Sequence, residues 1–216
     1  MYTAKSFFQP LDMRFLRTMG TRYVTFYDMA MINRYYECKC ERELDCQNGG
    51  YTNPANCSEC NCPMGYGGIL CDGPPREFSK VLNATENWKE HSMNFGFNGF
   101  SDTVEMRATM FIVAPRDKTI QVQVTNMYRF TCNEYCLYSS VEVKMMGDPR
   151  MTNPLFCCNT DPGWNDVHTS KLNPTPVNIY LRLRKVQLTI RYRYINGSVD
   201  DLPKTNNTFD SFEYPI

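Results

Sequence analysis

The spacing of its cysteines constrains this chain more than any other feature. The sequence has 11 cysteines in 216 residues, and seven of them lie between Cys38 and Cys71. This density is typical of small extracellular domains, whose cores are too small to stabilise them without cross-links. Cys57-x-x-Cys60 has a zinc-like spacing, but neither a matching second pair nor a histidine pair accompanies it. We therefore interpret six of these cysteines as a disulfide knot, for which fifteen connectivities are possible.

The region that follows the knot shows the alternation of apolar and polar residues that is typical of β-strands. The alternating apolar positions are Ile120, Val122 and Val124; Val141 and Val143; Val177, Ile179, Leu181 and Leu183; and Val186, Leu188, Ile190, Tyr192 and Tyr194. Short segments of this kind between Pro, Asn and Gly predict a β-sandwich with one buried face per sheet.

Two groups of polar residues in this region could carry function. Arg182, Arg184, Arg191 and Arg193 alternate with apolar residues of the last two predicted strands, so we expect them on the outer face of one hairpin. That face is either a docking surface for an acidic protein or glycan, or a solvated sheet face, which we favour. His91 and His168 are expected near strand ends or loops, as ordinary surface residues.

The two ends of the chain differ from its middle. Residues 1–37 predict a loop and a short helix, with Asp28 as N-cap and Met29, Ile32 and Tyr36 at helical spacing. Their many aromatic and Met side chains are expected to face a larger domain and to leave an exposed apolar patch. Residues 197–216 are polar and aperiodic, and we expect a flexible tail.

Composition excludes some functions and indicates a compartment. The formal net charge is zero, so no basic surface for nucleic acid is indicated, and no apolar run reaches the roughly 18 residues of a membrane span. Sequons at Asn83, Asn196 and Asn206, with a further one at Asn56 inside the knot, are compatible with secretion. The first residues, MYTAKSFFQPLDMRF, do not form a signal peptide, so we expect either a fragment of a longer precursor or a misplaced start.

The end of the knot resembles an EGF-like domain. The string CNCPMGYGGILC matches the family's C-x-C-x-x-G-[YF]-x-G-x-x-C at Cys60, Cys62, Gly65, Tyr66, Gly68 and Cys71. The resemblance implies the pairs Cys40–Cys57, Cys46–Cys60 and Cys62–Cys71. The entry sequence RYYECKC lacks the acidic residues of calcium-binding members, so calcium is not expected.

The β region resembles a CUB domain of the nematode type. MFIVAPRDKTIQVQV, CNEYCLYSSVEVK, LFCC and LTIRYRYI correspond to segments of that family. The resemblance implies a jelly-roll sandwich in which Cys132 and Cys136 face Cys157 and Cys158. We favour Cys136–Cys157 and Cys132–Cys158, with the other pairing close behind. Ser139 stands where calcium-binding members carry Asp, which makes a calcium site doubtful.

The N-terminal piece resembles the end of an astacin catalytic domain. TMGTRYVTFYDMAMINRYYEC matches T-M-G-Q-R…S-F-x-D…I-N…Y-x-C, and Cys38 would be the unpaired last cysteine, whose partner lies upstream in complete members. Tyr2 and Phe7 fit the Met-turn pattern, which makes Tyr2 the tyrosine that helps bind zinc in complete enzymes. The helix H-E-x-x-H-x-x-G-x-x-H is absent, so the chain holds no complete metal site and no cofactor is expected in it.

These resemblances imply a mainly β chain with a short helical remnant of a metzincin catalytic domain at its N-terminus. The expected units are residues 1–38 (end of the peptidase domain), 39–72 (EGF-like), 76–196 (CUB-like) and 197–216 (tail). The implied function is the non-catalytic part of a secreted astacin-like zinc metalloendopeptidase that contacts protein or extracellular-matrix partners. A secreted EGF–CUB adhesion module without peptidase activity, and a truncated gene product, are the alternatives.

Overall fold

The computed structural model describes residues 9–97 and 105–197. The chain begins with a 3₁₀ helix, Met13–Arg17, followed by helix α1, Phe26–Tyr35. Thr25 is the N-cap of α1, because its hydroxyl accepts a hydrogen bond from the Asp28 amide while the Asp28 carboxylate accepts one from Thr25 N at 2.8 Å. Asp28 therefore completes a capping box from the first turn. The sequence-based prediction that Asp28 is the N-cap is wrong, because Thr25 holds that position.

The knot contains two short strands, β1 (Tyr51–Thr52) and β2 (Cys60–Asn61), which pair antiparallel. Its remaining backbone forms turns that are held by disulfide bonds rather than by a hydrophobic core. Gly50 shows how tight the packing is, because a Cβ there would lie 2.7 Å from the Cys71 Sγ. Only glycine fits such an approach.

Two packed sheets form the rest of the described chain. Their strands are β3 (Ser79–Asn83), β4 (Lys89–Phe95), β5 (Met106–Val113), β6 (Lys118–Tyr128), β7 (Ser139–Val143), β8 (Leu155–Phe156), β9 (Val167–Thr169), β10 (Thr175–Leu181) and β11 (Val186–Asn196). One sheet has the order β3-β5-β10-β7-β8 and the other β4-β11-β6-β9. All pairs are antiparallel except β3 with β5.

The core lies between the sheets, where the alternating apolar residues meet. Ile120, Val122 and Val124 of β6 are fully buried against Val141 and Val143 of β7 and their neighbours. This confirms the predicted fold class, which is a mainly β chain with a small disulfide-rich module followed by a two-sheet sandwich.

Strands β7 and β10 of the five-stranded sheet are buried on both faces, which the alternation did not predict. Every residue of β7 and β10 is buried. The N-terminal segment covers the outer face where Tyr23 stacks on Tyr180, with ring centroids 4.6 Å apart. The knot covers it where Tyr66 packs edge-on against Phe111 at 5.8 Å. A polar residue on this face is therefore not a solvated one.

The expectation that β10 and β11 form one hairpin is wrong. β10 pairs with β5 and β7, whereas β11 pairs with β4 and β6 in the other sheet. Residues 182–185 cross from one sheet to the other. Alternation locates a strand but does not identify its neighbours, and this is why the four arginines do not share a face.

Candidate interaction surfaces

Five disulfide bonds cross-link the described chain. In the knot they join Cys40 to Cys57, Cys46 to Cys60 and Cys62 to Cys71, and in the sandwich they join Cys132 to Cys158 and Cys136 to Cys157. These are the pairs that the resemblances implied. Cys38 is unpaired and exposed. Five disulfides fit an oxidising extracellular compartment.

Cys136, Cys157 and Asp161 form one group of potential metal ligands within the described residues. The group does not fit zinc. Its two sulfurs are bonded to each other. The Asp161 carboxylate accepts hydrogen bonds from Cys157 N at 2.9 Å and Cys158 N at 2.8 Å, and from the Arg17 guanidinium at 2.8 Å. A structural zinc site needs four free ligands in tetrahedral positions, so we assign no zinc chemistry to this group.

The structure contradicts the expected surface position of His168, whereas His91 is only partly buried. His168 lies in β9, is 3% exposed, and stacks on Phe156 with ring centroids 5.6 Å apart. His91 lies inside β4 and is half-buried. Burial lowers the pKa of both side chains, and that of His168 falls to about 4. His168 is therefore a neutral core residue at physiological pH.

A buried polar cluster on the outer face of the five-stranded sheet was missed from the sequence. The Glu142 carboxylate accepts hydrogen bonds from Tyr180 Oη at 2.5 Å and Asn178 Nδ2 at 3.1 Å, and it pairs with Lys144 Nζ at 3.1 Å. The segment 23–26 and Met64 of the knot line a small cavity together with Glu142 and Lys144. A buried charge is tolerated only when it is paired and hydrogen-bonded, as it is here.

Two of the four predicted arginines lie together on the outer face of the four-stranded sheet. Arg191 and Arg193 place their guanidinium carbons 4.7 Å and 4.6 Å from the centroid of the Trp88 ring. Each Nε also donates to a glutamine of β6, from Arg191 to Gln123 and from Arg193 to Gln121. We call this group the Trp88 stack. Stacking and hydrogen bonding hold both guanidinium groups in fixed positions on an otherwise polar sheet face.

The other two arginines have different surroundings. Arg182 donates to Glu105 at 2.9 Å and lies over the Tyr23 ring, so it belongs to the covered face of the five-stranded sheet. Arg184 is exposed in the connection between the sheets. The predicted group of four therefore divides into one pair that faces solvent and two separate residues.

A groove of about 640 Å³ runs between the knot and the sandwich. Met64, Tyr66, Phe78 and Met106 supply apolar walls, and Arg107 is paired with Glu105 at 2.6 Å. Small-molecule sites usually combine such walls with several convergent polar groups. Of the polar residues that line this groove, Glu105 and Arg107 pair with each other and Thr109 donates to Asn178, which leaves Glu77 as the polar side chain that is open to a ligand.

The other predicted site residues lie apart. Asn83, at the end of β3, and Asn196, at the end of β11, are both exposed, as an accepted glycan would require. Tyr2, Asn206 and residues 198–216 of the predicted flexible tail lie outside the described residues. No helix within residues 9–97 and 105–197 is both long enough and apolar enough to cross a membrane.

Sequence comparison relates the chain to a set of nematode enzymes. No family model matches. The chain is 46% identical over 208 residues to zinc metalloproteinase nas-16 of Caenorhabditis elegans, covering 95% of this chain and 46% of that protein. It is 45% identical over 202 residues to zinc metalloproteinase nas-17 of the same organism, which covers 93% of this chain and 47% of that protein. The chain thus spans about half the length of the curated relatives it matches.

Solved structures give a weaker likeness. The CUB1-EGF-CUB2 domains of rat MASP-1 match with a TM-score of 0.37 and 15% identity, covering 54% of this chain and 42% of that one. The CUB1-EGF-CUB2 domain of human MASP-1/3 matches with a TM-score of 0.37 and 14% identity, covering 76% of this chain and 57% of that one. These scores are too low to carry an argument about function. The sequence identities support a firmer statement: over the half of their length that it spans, the chain is similar to zinc metalloproteinases of Caenorhabditis elegans.

Proposed function

We propose that the chain is the C-terminal, non-catalytic part of a secreted astacin-like zinc metalloendopeptidase. In this assignment residues 1–38 are the end of the peptidase domain, 39–72 an EGF-like domain, 76–196 a CUB-like domain and 197–216 a tail. The observation that carries the proposal is the identity to zinc metalloproteinases over more than nine-tenths of the chain. The three-disulfide knot followed by a two-disulfide sandwich supports the same order.

The chain is expected to be inactive by itself. Hydrolysis by this mechanism needs three histidine ligands for zinc and a glutamate that takes a proton from the bound water. The sequence has two histidines, and they lie in β4 and β9 with a buried ring at His168. Zinc and peptide-bond hydrolysis therefore belong to the upstream half of the longer protein.

The test compares the chain with a longer protein from the same transcript. The transcript is sequenced upstream of Met1, and both proteins are assayed on an unfolded protein substrate, with and without a zinc chelator. We expect an in-frame H-E-x-x-H-x-x-G-x-x-H helix and chelator-sensitive cleavage by the longer protein alone. A signal peptide joined directly to residue 1, with no cleavage by either protein, would instead favour an adhesion module.

We further propose that the knot and sandwich bind a protein or matrix partner through the Trp88 stack. Neither guanidinium group has an ion-pair partner in the part of the chain that the structure describes, although Glu90 lies opposite Arg191 in the strand register. Fixed guanidinium groups lose little conformational freedom on binding carboxylate or sulfate. Acidic groups on a partner are therefore the chemistry that this face selects.

Binding is measured with the whole chain on immobilised matrix extract at two salt concentrations. The double variant R191Q/R193Q should bind more weakly, and the difference should shrink at high salt because exposed charges are screened. The double variant R184Q/K185Q is the matched control, since it removes the same two positive charges from the exposed connection between the sheets. Equal binding by all three proteins would exclude the Trp88 stack.

A further inference from the structure

The N-terminal segment is attached to the sandwich by an ion pair that is largely buried. Arg17, at the end of the 3₁₀ helix, donates from Nε to Asp161 Oδ1 at 2.8 Å and from Nη1 to the Asn133 carbonyl at 2.9 Å. The side chains of Arg17 and Asp161 are 22% and 2% exposed. Removing one member of such a pair leaves the other charge buried without a partner, which is strongly unfavourable.

Tyr23 forms the second attachment. It is 8% exposed and belongs to a small hydrophobic cluster that includes Cys136, Leu155 and Tyr180. Its hydroxyl donates to the Cys136 carbonyl at 3.3 Å. A tyrosine that fills an apolar site and satisfies its hydroxyl contributes both burial and specificity.

Two further contacts extend this attachment along the segment. The Thr18 hydroxyl accepts a hydrogen bond from Leu155 N at 3.0 Å, and so covers the open edge of β8. Tyr27 donates to the Asp148 carboxylate at 2.7 Å at the start of α1. Residues 17–27 therefore contact the sandwich repeatedly over 11 positions.

The surface that receives these contacts is built by the two disulfides of the sandwich. Cys157 and Cys158 donate their backbone N–H groups to Asp161, and Cys136 supplies the carbonyl that Tyr23 reaches. Most of this surface is irregular loop, and Cys132–Cys158 and Cys136–Cys157 restrict its conformations. A pre-ordered surface binds with a smaller loss of conformational entropy.

We infer that this disulfide-linked corner of the sandwich, residues 132–161, is a docking socket for residues 17–27, and that it fixes the sandwich against the end of the peptidase domain. The inference rests on the proposed function for the identity of that segment. The sandwich is then a rigid support for the peptidase domain and not a module on a flexible tether. The outward side of α1, with Met29, Ile32 and Tyr35 exposed, stays free to contact the rest of that domain.

Hydrogen exchange of the whole chain, followed by mass spectrometry of peptides that cover residues 12–27, tests the socket. The wild-type segment should be protected, and R17Q should raise its exchange about tenfold to a hundredfold, as expected for loss of a hydrogen-bonded charge. Y23A should also raise the exchange of this segment, because it removes the packing of Tyr23 on the sandwich and its hydrogen bond to the Cys136 carbonyl. R22Q is the matched control, because Arg22 is an exposed arginine of the same segment. The amides of β5 and β10 should not change in any variant, which shows that the sandwich remains folded.

A double-mutant cycle separates the ion pair from general destabilisation. Because Arg17 also donates to the Asn133 carbonyl, R17Q should still raise exchange in the D161N background. If Arg17 acts mainly through Asp161, this increase should be much smaller than the one that R17Q causes in the wild type. Wild-type exchange at the rate of an unstructured peptide, equal exchange in R17Q and R22Q, or additive effects in the cycle would each overturn the inference. If residues 12–27 are protected from hydrogen exchange but the longer protein has no peptidase activity, the docking inference holds and only the proposed function is refuted.

Discussion

His168 should make the stability of the sandwich depend on pH in a range where few other groups titrate. Its ring is 3% exposed, and its Nε2 has no hydrogen-bond partner within the described residues. Burial is the main cause of its lowered pKa, the nearby positive charge of Arg14 adds to it, and Asp166 opposes it. The folded chain therefore strongly prefers the neutral imidazole.

The sign and the size of the effect follow from the two pKa values. The pKa is about 4 in the folded chain and about 6.5 for an unperturbed histidine. Between these values the unfolded chain binds more protons, so stability is complete above about pH 6.5 and falls as the pH is lowered towards 4. About 3 kcal/mol is lost in total, and about 2 kcal/mol of it between pH 7 and pH 5.

Urea unfolding at several pH values between 7.5 and 4.5 measures this loss, with tryptophan fluorescence as the probe. The variant H168L should be less stable than the wild type at pH 7.5 but should lose most of the pH dependence. H91Q is the control, since His91 is the other histidine of the chain and is much less buried than His168, so its replacement should leave most of the pH dependence in place. Because the chain has two histidines, proton NMR can follow each imidazole directly. A His168 pKa near 6.5, or an unchanged pH dependence in H168L, would refute the reasoning.

Three further substitutions test the packing around the sandwich. Y180F removes one of the donors to the buried Glu142 carboxylate and should lower the free energy of unfolding in urea by about 1.5–3 kcal/mol. G65A should loosen the knot from the sandwich, because Gly65 has φ +91° and a Cβ there would clash with the Pro176 Cβ; faster hydrogen exchange in the knot would show it. W88A should lower the free energy of unfolding by about 1–2 kcal/mol through the loss of two cation–π contacts, and unchanged unfolding would show that the stack has no net stabilising effect.

The parts of the fold that follow from local chemistry could be predicted from the sequence. Dense cysteines and glycines indicated a cross-linked knot, because that stretch has too few apolar residues for a core. Strict alternation located β6 and β11, because side chains on a strand point to opposite faces in turn. Both signals depend on neighbours along the chain.

The features that depend on distant residues could not be predicted in this way. Alternation placed Arg182 and Arg191 on adjacent strands, but the chain changes sheets between them. His168 was expected at the surface, because three residues of β9 carry too short a pattern to show that one side faces the core. Burial of a short strand is decided by which sheet it joins.

The covered face of the five-stranded sheet has a consequence for function. Glu142 and Lys144 alternate with valines and would lie in water if β7 had one exposed face, yet both are buried. Their burial is compatible with a stable fold only while the N-terminal segment and the knot stay in place, because separation would open the cavity that these parts line with the two charged residues. The three parts of this chain therefore stabilise one another, and a partner bound at the Trp88 stack would act on a body that includes the N-terminal segment, the knot and the sandwich.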